Sequence, residues 1–463
     1  MLISLAMIVK NEEGMLAHCL ESVKALVDEI IVVDTGSTDK TIDIAREFGA
    51  RVYPFKWCDD FSAARNESLK YCKGDWVLIL DADEAIDALD HEKIKNACQR
   101  PQADAYNLIH RNYAIKPDVS LQDIALTPNV SDYSEGRELP FYADIPVPRL
   151  VKMFDGLTFN SRVHETYEAS LIPSRKTTKN LDAVIHHYGK LLAEREEYKA
   201  QYYLMLARLE AEANPDFAPV HLRLLQQALR AKHWETALEA AKASIKLALA
   251  VDSFVLYGGR SAQEAIEANI KLAIAVDPFI LYGGGLALQN MDRHAEAIGY
   301  FDMLLSQHPQ HALAWLGKGH SCWALGDFSA AREAMMKAIE LQPGSAMARK
   351  RLAELEYAAN NAANNLDAAR RATLEAIDMA PNEPALYDNL LKIEMARDNT
   401  QQAVQDALLA IRKCPGGGEG RWHRLAAVYL YQNGQRDTAV SVLELGLKNF
   451  PNDPDLMRLR GMI

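Results

Sequence analysis

The sequence of 463 residues has no C-x-x-C pair among its six cysteines, no long basic run and no low-complexity tract. Without paired or framework-like spacing of the cysteines, a disulfide framework is not expected, and a reduced cytosolic protein is. A net charge of −12 argues against broad nucleic-acid binding. No basic amphipathic helix favours docking to a membrane, although peripheral association at an inner membrane stays open. The first nine residues, MLISLAMIV, are apolar but have no basic leader, and KNEE follows at once. They are too short for a signal segment or a transmembrane span and read as a buried first strand. What the chain does have is 49% hydrophobic and 25% charged residues, the balance of a soluble globular protein of two or three domains.

The first part alternates strand-like and helix-like segments. LISLAMIV (2–9), EIIVVD (29–34), ARVY (50–53) and DWVLIL (75–80) are separated by helical stretches around 14–25, 39–48 and 61–72. Continuous apolar strands joined by helices predict a parallel sheet covered on both faces. Ligands bind such sheets beyond the carboxyl ends of the strands. Further strands are expected at AYNLIH, RLVKMF and AVIHHY, and the polar stretch 115–147 reads as a long loop.

From about residue 190 helix follows helix, rich in alanine and leucine. Pro309, Pro343, Pro381, Pro415 and Pro451 recur at nearly the 34-residue period of tetratricopeptide repeats. Residues 312–343 resemble that repeat, with Trp315, Gly319, Ala331, Ala338 and Pro343 in its characteristic positions; Gly285, Ala297, Phe301 and Pro309 match the preceding unit. One irregularity is IKLALAVDSFVLYGG (245–259), which returns as IKLAIAVDPFILYGG (270–284). The short offset predicts a truncated first helix and a Gly-Gly turn, or a tandem duplication with no function.

The chemistry concentrates in DWVLILDADEAID (75–87), where an apolar strand ends in Asp81, Asp83 and Glu84. Carboxylates crowded at a strand mouth repel one another and call for a positive partner. The D-x-D spacing points Asp81 and Asp83 to the same side. Hard cations such as Mn²⁺ or Mg²⁺ take carboxylate oxygens and keep places for phosphate and water. In VVDTGSTDKT (32–41), Asp34 closes another strand before a Gly/Ser/Thr turn, where a carboxylate can accept from a base or ribose. The alternative for this turn is an ordinary connection capped by Ser37 or Thr38.

Together SLAMIVKNEE, EIIVVDTGSTDKT, DDFSAARNESL and GDWVLILDADE resemble the family 2 glycosyltransferases. RVHETY (162–167) and AVIHHYG (183–189), followed by helix, are similar to a branch that runs into tetratricopeptide repeats. That branch includes peptide S-glycosyltransferases and relatives of lipopolysaccharide-core glucosyltransferases. The resemblance implies an α/β GT-A domain, Rossmann-like and binding a nucleotide sugar, followed by an all-α tetratricopeptide solenoid. The expected boundaries are 1–189 for the catalytic domain, 190–217 for a connecting helix and 218–463 for the repeats.

The resemblance also implies roles. Lys10, Asn11, Glu12 and Asp34 would contact the nucleoside, and Arg65 would sit near the nucleotide or else be a helix-surface arginine. Asp83, with Asp81, would ligate the divalent metal. His187 would complete the metal shell, with His186 as rival and a packed core histidine as the alternative. Glu165 would be the base of an inverting transfer, oriented or replaced by His164, unless Glu165 forms a structural salt bridge. The donor implied is a UDP-sugar and the acceptor a polypeptide held by the repeats, with a saccharide acceptor second. A repeat scaffold without catalysis is the rival from another class. Oligomeric state is left open.

Overall fold

The computed structural model describes residues 1–114, 127–130, 132–189, 196–256, 276–361, 366–379, 381–415 and 417–463. They form two units, Met1–Ala231 and Lys232–Ile463.

The first unit is built on strands β1 (Ile3–Val9), β2 (Glu29–Asp34), β3 (Arg51–Pro54), β4 (Trp76–Ile79), β5 (Glu84–Ala85), β6 (Ala105–Ala114), β7 (Thr127–Pro128), β8 (Phe141–Lys152) and β9 (Thr178–His187). They make one sheet in the order β3-β2-β1-β4-β8-β6-β9-β5, with β7 alongside β8. The first four strands are parallel, as their apolar runs predict. From β8 onward the sheet is mixed, because β8 runs antiparallel to both β4 and β6. Part of the expected 115–147 loop is therefore strand: Phe141 pairs with Ala114 at the far end of a long β6–β8 ladder. Residues 115–126 of that expectation lie outside the described residues.

Alternation along each strand sends side chains to two faces. Leu5, Met7, Val9, Trp76, Leu78 and Leu80 pack on one face with Leu16, Leu20 and Val23 of α1 (Leu16–Val23). Ala6, Val77 and Ile79 pack on the other with Phe159 and Tyr167. Each fully buried leucine or isoleucine contributes roughly 1.5–3 kcal/mol, so truncating Leu78 to alanine costs about 2–5 kcal/mol. Helix α3 (Phe61–Leu69) starts where the Asp60 carboxylate accepts from the Ala63 N–H at 3.1 Å, and its buried side includes Arg65. With α2 (Thr41–Glu47), α4 (Ala88–Gln99) and α5 (Glu168–Leu171), it lies in chain order between the strands.

Helices α6 (Glu196–Ala213) and α7 (Ala218–Arg230) also belong to this unit. Val163 packs with Leu206 and Ala207 in a small cluster against Phe61, Tyr202, Tyr203 and Leu224. The division expected between residues 217 and 218 thus falls inside the first unit. Residues 190–195 of the expected connecting helix lie outside the described residues.

The second unit is all helix. After α8 (Trp234–Leu256) come the pairs α9 (Pro278–Asn290) with α10 (His294–Gln307), α11 (Ala312–Ala324) with α12 (Phe328–Leu341), and α13 (Ala346–Asn361) with α14 (Leu366–Met379). They continue as α15 (Pro384–Ala396) with α16 (Thr400–Lys413), α17 (Arg421–Gln432) with α18 (Arg436–Asn449), and a final α19 (Pro454–Met462). Each period-marking proline stands just beyond the end of the second helix of a pair, where it stops the helix without breaking an internal bond. The small residues let helices touch: a Cβ added at Gly319 would lie 2.9 Å from Met335 Cγ, and one at Gly285 would lie 2.7 Å from the buried Phe301 ring.

The duplicated segment departs from expectation where it can be followed. Residues 245–256 continue α8, and Gly283 and Gly284 lie inside α9, so the second copy has no Gly-Gly turn. Residues 257–275, including the first Gly-Gly, lie outside the described residues. Among the described residues no helix is long and apolar enough to cross a membrane.

Candidate active site

The partner demanded by the carboxylates at the end of β4 is a pair of arginines. Arg65, only 2% exposed, binds one Asp81 oxygen through Nη2 and donates from Nε to Glu165 Oε1 at 3.0 Å. Arg149, on β8, donates to the other Asp81 oxygen at 2.9 Å and to Glu84 Oε1 at 2.7 Å. Burial works against ionised Asp81, but Arg149 and Arg65 outweigh it and hold the carboxyl far below its usual range. Arg149 is raised in turn: burial opposes its charge, and Glu84 and Asp81 restore it. An arginine inside the apolar run RLVKMF was the available signal for this partner, since a buried guanidinium needs carboxylates.

Asp83 is treated differently. Its carboxylate accepts no hydrogen bond from the described residues, and Oδ2 faces His187 Nε2 at 3.7 Å. The two are brought together by the sheet: β5 runs antiparallel to β9, pairing Glu84 with His187, and the Tyr188 N–H donates to the Asp83 carbonyl at 3.0 Å. Gly189 keeps the space open. A Cβ there would stand 2.2 Å from Asp83 Oδ2 and 2.7 Å from His187 Nε2. A carboxylate oxygen and an imidazole nitrogen around such a gap fit a divalent cation of the Mn²⁺ type. Asp81 is not a free third ligand, because both its oxygens are taken by guanidinium groups. Among the described residues no three His, Cys, Asp or Glu side chains converge as metal ligands.

His186 faces the opposite side of β9. It is fully buried, its Nδ1 lies 2.7 Å from the Tyr113 hydroxyl, and burial pushes it down to about 4. It is a packed core histidine.

The other expected residues occupy two places. At the ends of β1 and β2, Asp34 accepts from the Gly36 and Ser37 N–H groups, each at 3.1 Å. Asn11, in the left-handed region at φ 56°, donates its N–H to Ser37 Oγ at 3.0 Å and accepts from the Thr38 N–H at 2.8 Å. The Glu12 N–H reaches Thr41 Oγ1 at 2.7 Å, and Lys10 is exposed. Ser37 and Thr38 do not cap α2, whose N-cap is Lys40. This corner is a cross-braced double turn with its polar groups largely satisfied from within.

Glu165 joins the arginine cluster through Arg65, and Arg65 is buried rather than on a helix surface. His164, also left-handed at φ 54°, turns away: its Nε2 lies 2.8 Å from Gln227 Nε2 on α7, and burial lowers its pKa. Tyr203 of α6 is pushed up to about 12 by burial and by the negative charge of Asp81, Glu165 and Asp83. Helices α6 and α7 therefore furnish a wall of the site, which no local pattern announced.

Compared with known proteins, residues 4–140 match the family model for Glycosyl transferase family 2, and residues 282–346 and 318–384 match the Tetratricopeptide repeat. The chain is 34% identical over 196 residues to a TPR repeat-containing protein of Synechococcus elongatus, covering 40% of this chain and 42% of that one. It is 43% identical over 84 residues to an uncharacterized glycosyltransferase of Rickettsia typhi, covering 18% of this chain and 28% of that one. It is 29% identical over 165 residues to the SPbeta prophage-derived glycosyltransferase SunS of Bacillus subtilis, covering 35% of this chain and 34% of that one. The chain spans less than half the length of these curated relatives.

Proposed function

Because the chain carries a family 2 glycosyl transferase domain followed by tetratricopeptide repeats, we propose that it is a metal-dependent, inverting glycosyltransferase. It takes a UDP-sugar as donor and a polypeptide held by the repeats as acceptor. The observation that carries this reading is the Asp83–His187 pair around the space kept by Gly189, beside an Asp81 already neutralised by arginines. Asp83 Oδ2 and His187 Nε2 would hold the cation. When bound, a divalent cation offsets the charge that builds on the diphosphate leaving group.

The remaining roles fall to the chain itself. Asp34, Asn11, Glu12 and Lys10 border the nucleoside side. Arg65 and Arg149 keep Asp81 ionised and set the floor of the site. Arg65 fixes Glu165 by one oxygen, leaving Oε2 to take the acceptor proton as the sugar carbon is attacked from the opposite face. The repeats contribute the extended surface that suits a peptide.

A panel of nucleotide sugars tests the reading, scored for donor hydrolysis with Mn²⁺ and again with chelator. Turnover of a UDP-sugar that needs Mn²⁺ is expected; no turnover of any donor would leave the scaffold reading in its place. Glu165→Gln is expected to lose about 10²–10⁴-fold in transfer while UDP affinity and melting temperature hold.

A further inference from the structure

We propose that Asn112 is a positioning residue that locks the His187 imidazole with its proton on Nδ1, so that the Nε2 lone pair faces Asp83. The inference rests on the reading of Asp83 and His187 as a cation-holding pair, and it assigns the device that keeps one of them competent.

The sheet register assembles this device. Asn112 of β6 is the cross-strand partner of His187 on β9, and His187 is in turn the partner of Glu84 on β5. His110 and Asn112 stand two apart on β6 and so project from the same face. The His110 ring lies over the His187 ring, with centroids 4.6 Å apart and planes 30° apart.

The protons along this row can be assigned from one fixed point. The His110 backbone carbonyl can only accept, and it lies 3.2 Å from one terminal atom of the Asn112 side chain, which must therefore be the amide nitrogen. That nitrogen also reaches His110 Nδ1 at 3.1 Å, so Nδ1 carries the lone pair and the His110 proton sits on Nε2. There it donates to Glu84 Oε1 at 2.8 Å, an oxygen that also receives Arg149. The other end of the amide is then the oxygen, 2.9 Å from His187 Nδ1, and an oxygen at that distance requires a proton on Nδ1. Neutral His187 keeps its second nitrogen, Nε2, free of hydrogen, and that nitrogen faces Asp83. A turned amide would set two oxygens against each other at the His110 carbonyl, so the orientation has no alternative.

The row also explains why Asn112, only 2% exposed, is a polar residue inside a strand. A leucine there would fill the space but leave His187 free to place its proton on Nε2, where it blocks ligation. Groups that accept from the far ring nitrogen of a metal-bound histidine act in this way, and losing one typically costs about 10- to 100-fold in metal affinity.

The test uses the full chain labelled with ¹⁵N-histidine, without added cation, at a pH where His187 is neutral. Long-range ¹H–¹⁵N spectra report the tautomer of each ring, and the signals missing in His187→Gln identify His187. Wild type is expected to show the proton on Nδ1, and Asn112→Leu to move it toward Nε2. Free-Mn²⁺ electron paramagnetic resonance, with UDP present, is expected to show affinity about 10- to 100-fold lower for Asn112→Leu. A wild-type His187 with its proton on Nε2 overturns the proposal without any variant. So does an Asn112→Leu protein with both tautomer and Mn²⁺ affinity unchanged. An Nδ1 proton in a wild type that binds no Mn²⁺ overturns instead the cation reading of the site.

Discussion

Both units bury carboxylates against arginines, and the difference in how they do so separates structure from chemistry. In the repeats, Arg332 of α12 binds Glu356 of α13 at 2.5 and 2.9 Å. One repeat later Arg370 of α14 binds Glu394 of α15, which is fully buried. Each pair ties the second helix of one repeat to the first helix of the next. The pattern recurs because the repeat recurs, and it marks a packing device. At the end of β4 nothing recurs. Arg65 and Arg149 serve Asp81, Glu84 and Glu165, and His110 is drawn onto Glu84 as well. Asp83, in the same motif, is left outside that network. Surplus negative charge held in place by the fold is what a cation-dependent site requires, whereas matched charge is what a helix interface tolerates.

Removing the surplus charge is expected to produce the largest effect. Asp83→Asn should cut Mn²⁺-dependent turnover by about 10³-fold, the weight of several kcal/mol of charge stabilisation, with the melting temperature unchanged. Kinetics and a thermal melt on one preparation decide it, and near-normal turnover with the same Mn²⁺ dependence would erase the distinction drawn between the two aspartates.

Breaking a matched pair should act on stability instead. Arg370→Ala leaves the buried Glu394 with only the more distant Arg397, whose Nε lies 3.8 Å from Oε2, and losing one partner of a buried pair costs about 3–5 kcal/mol. Urea unfolding should record that loss while the proposed donor hydrolysis persists. A folded, equally stable variant would mean the repeat pairs are ornamental.

A smaller effect comes from a buried group with no hydrogen-bond partner among the described residues. His423 is fully buried, neither ring nitrogen has a hydrogen-bond partner among the described residues, and burial lowers its pKa below the ordinary value of 6.5. Below pH 6.5 the unfolded chain binds the proton more readily than the folded one, so stability is full above that pH and falls as pH drops toward the folded pKa. His423→Leu should therefore lose less melting temperature than wild type between pH 7.5 and 5.5. An identical loss would acquit His423.

The smallest effect is expected at the repeat surface. Lys337 and Glu340 form an exposed i,i+3 pair at 2.8 Å on α12, and Lys337→Ala should change stability by no more than about 0.5 kcal/mol. A larger change would show that exposed pairs as well as buried ones carry the repeat interfaces.

Much of this was legible in the chain. Apolar strands alternating with helices, prolines at nearly equal spacing and a strand ending in carboxylates are all set by residues close in sequence. The register of a strand with its own helix, or of one repeat with the next, follows from local periodicity, so the α/β unit and the helical repeats could be read directly. The site could be read only to its strand ends. Arg149 announced itself as a charge in an apolar run, but not whose partner it was.

The amino-acid order by itself therefore determined the two kinds of architecture and the place where carboxylates gather. Only the tertiary structure decided which carboxylate is matched and which is left over, because that depends on β8 and β9 reaching β4 and β5 from far along the chain. It also gave His186 and His187 different surroundings. Adjacent strand residues face opposite sides, and the side that is interior is set by what packs there: Tyr113 and Tyr133 cover His186, while Asn112 and Asp83 meet His187. Periodicity is a property of near neighbours, but the pairing of charges is a property of strands that meet only when the sheet closes.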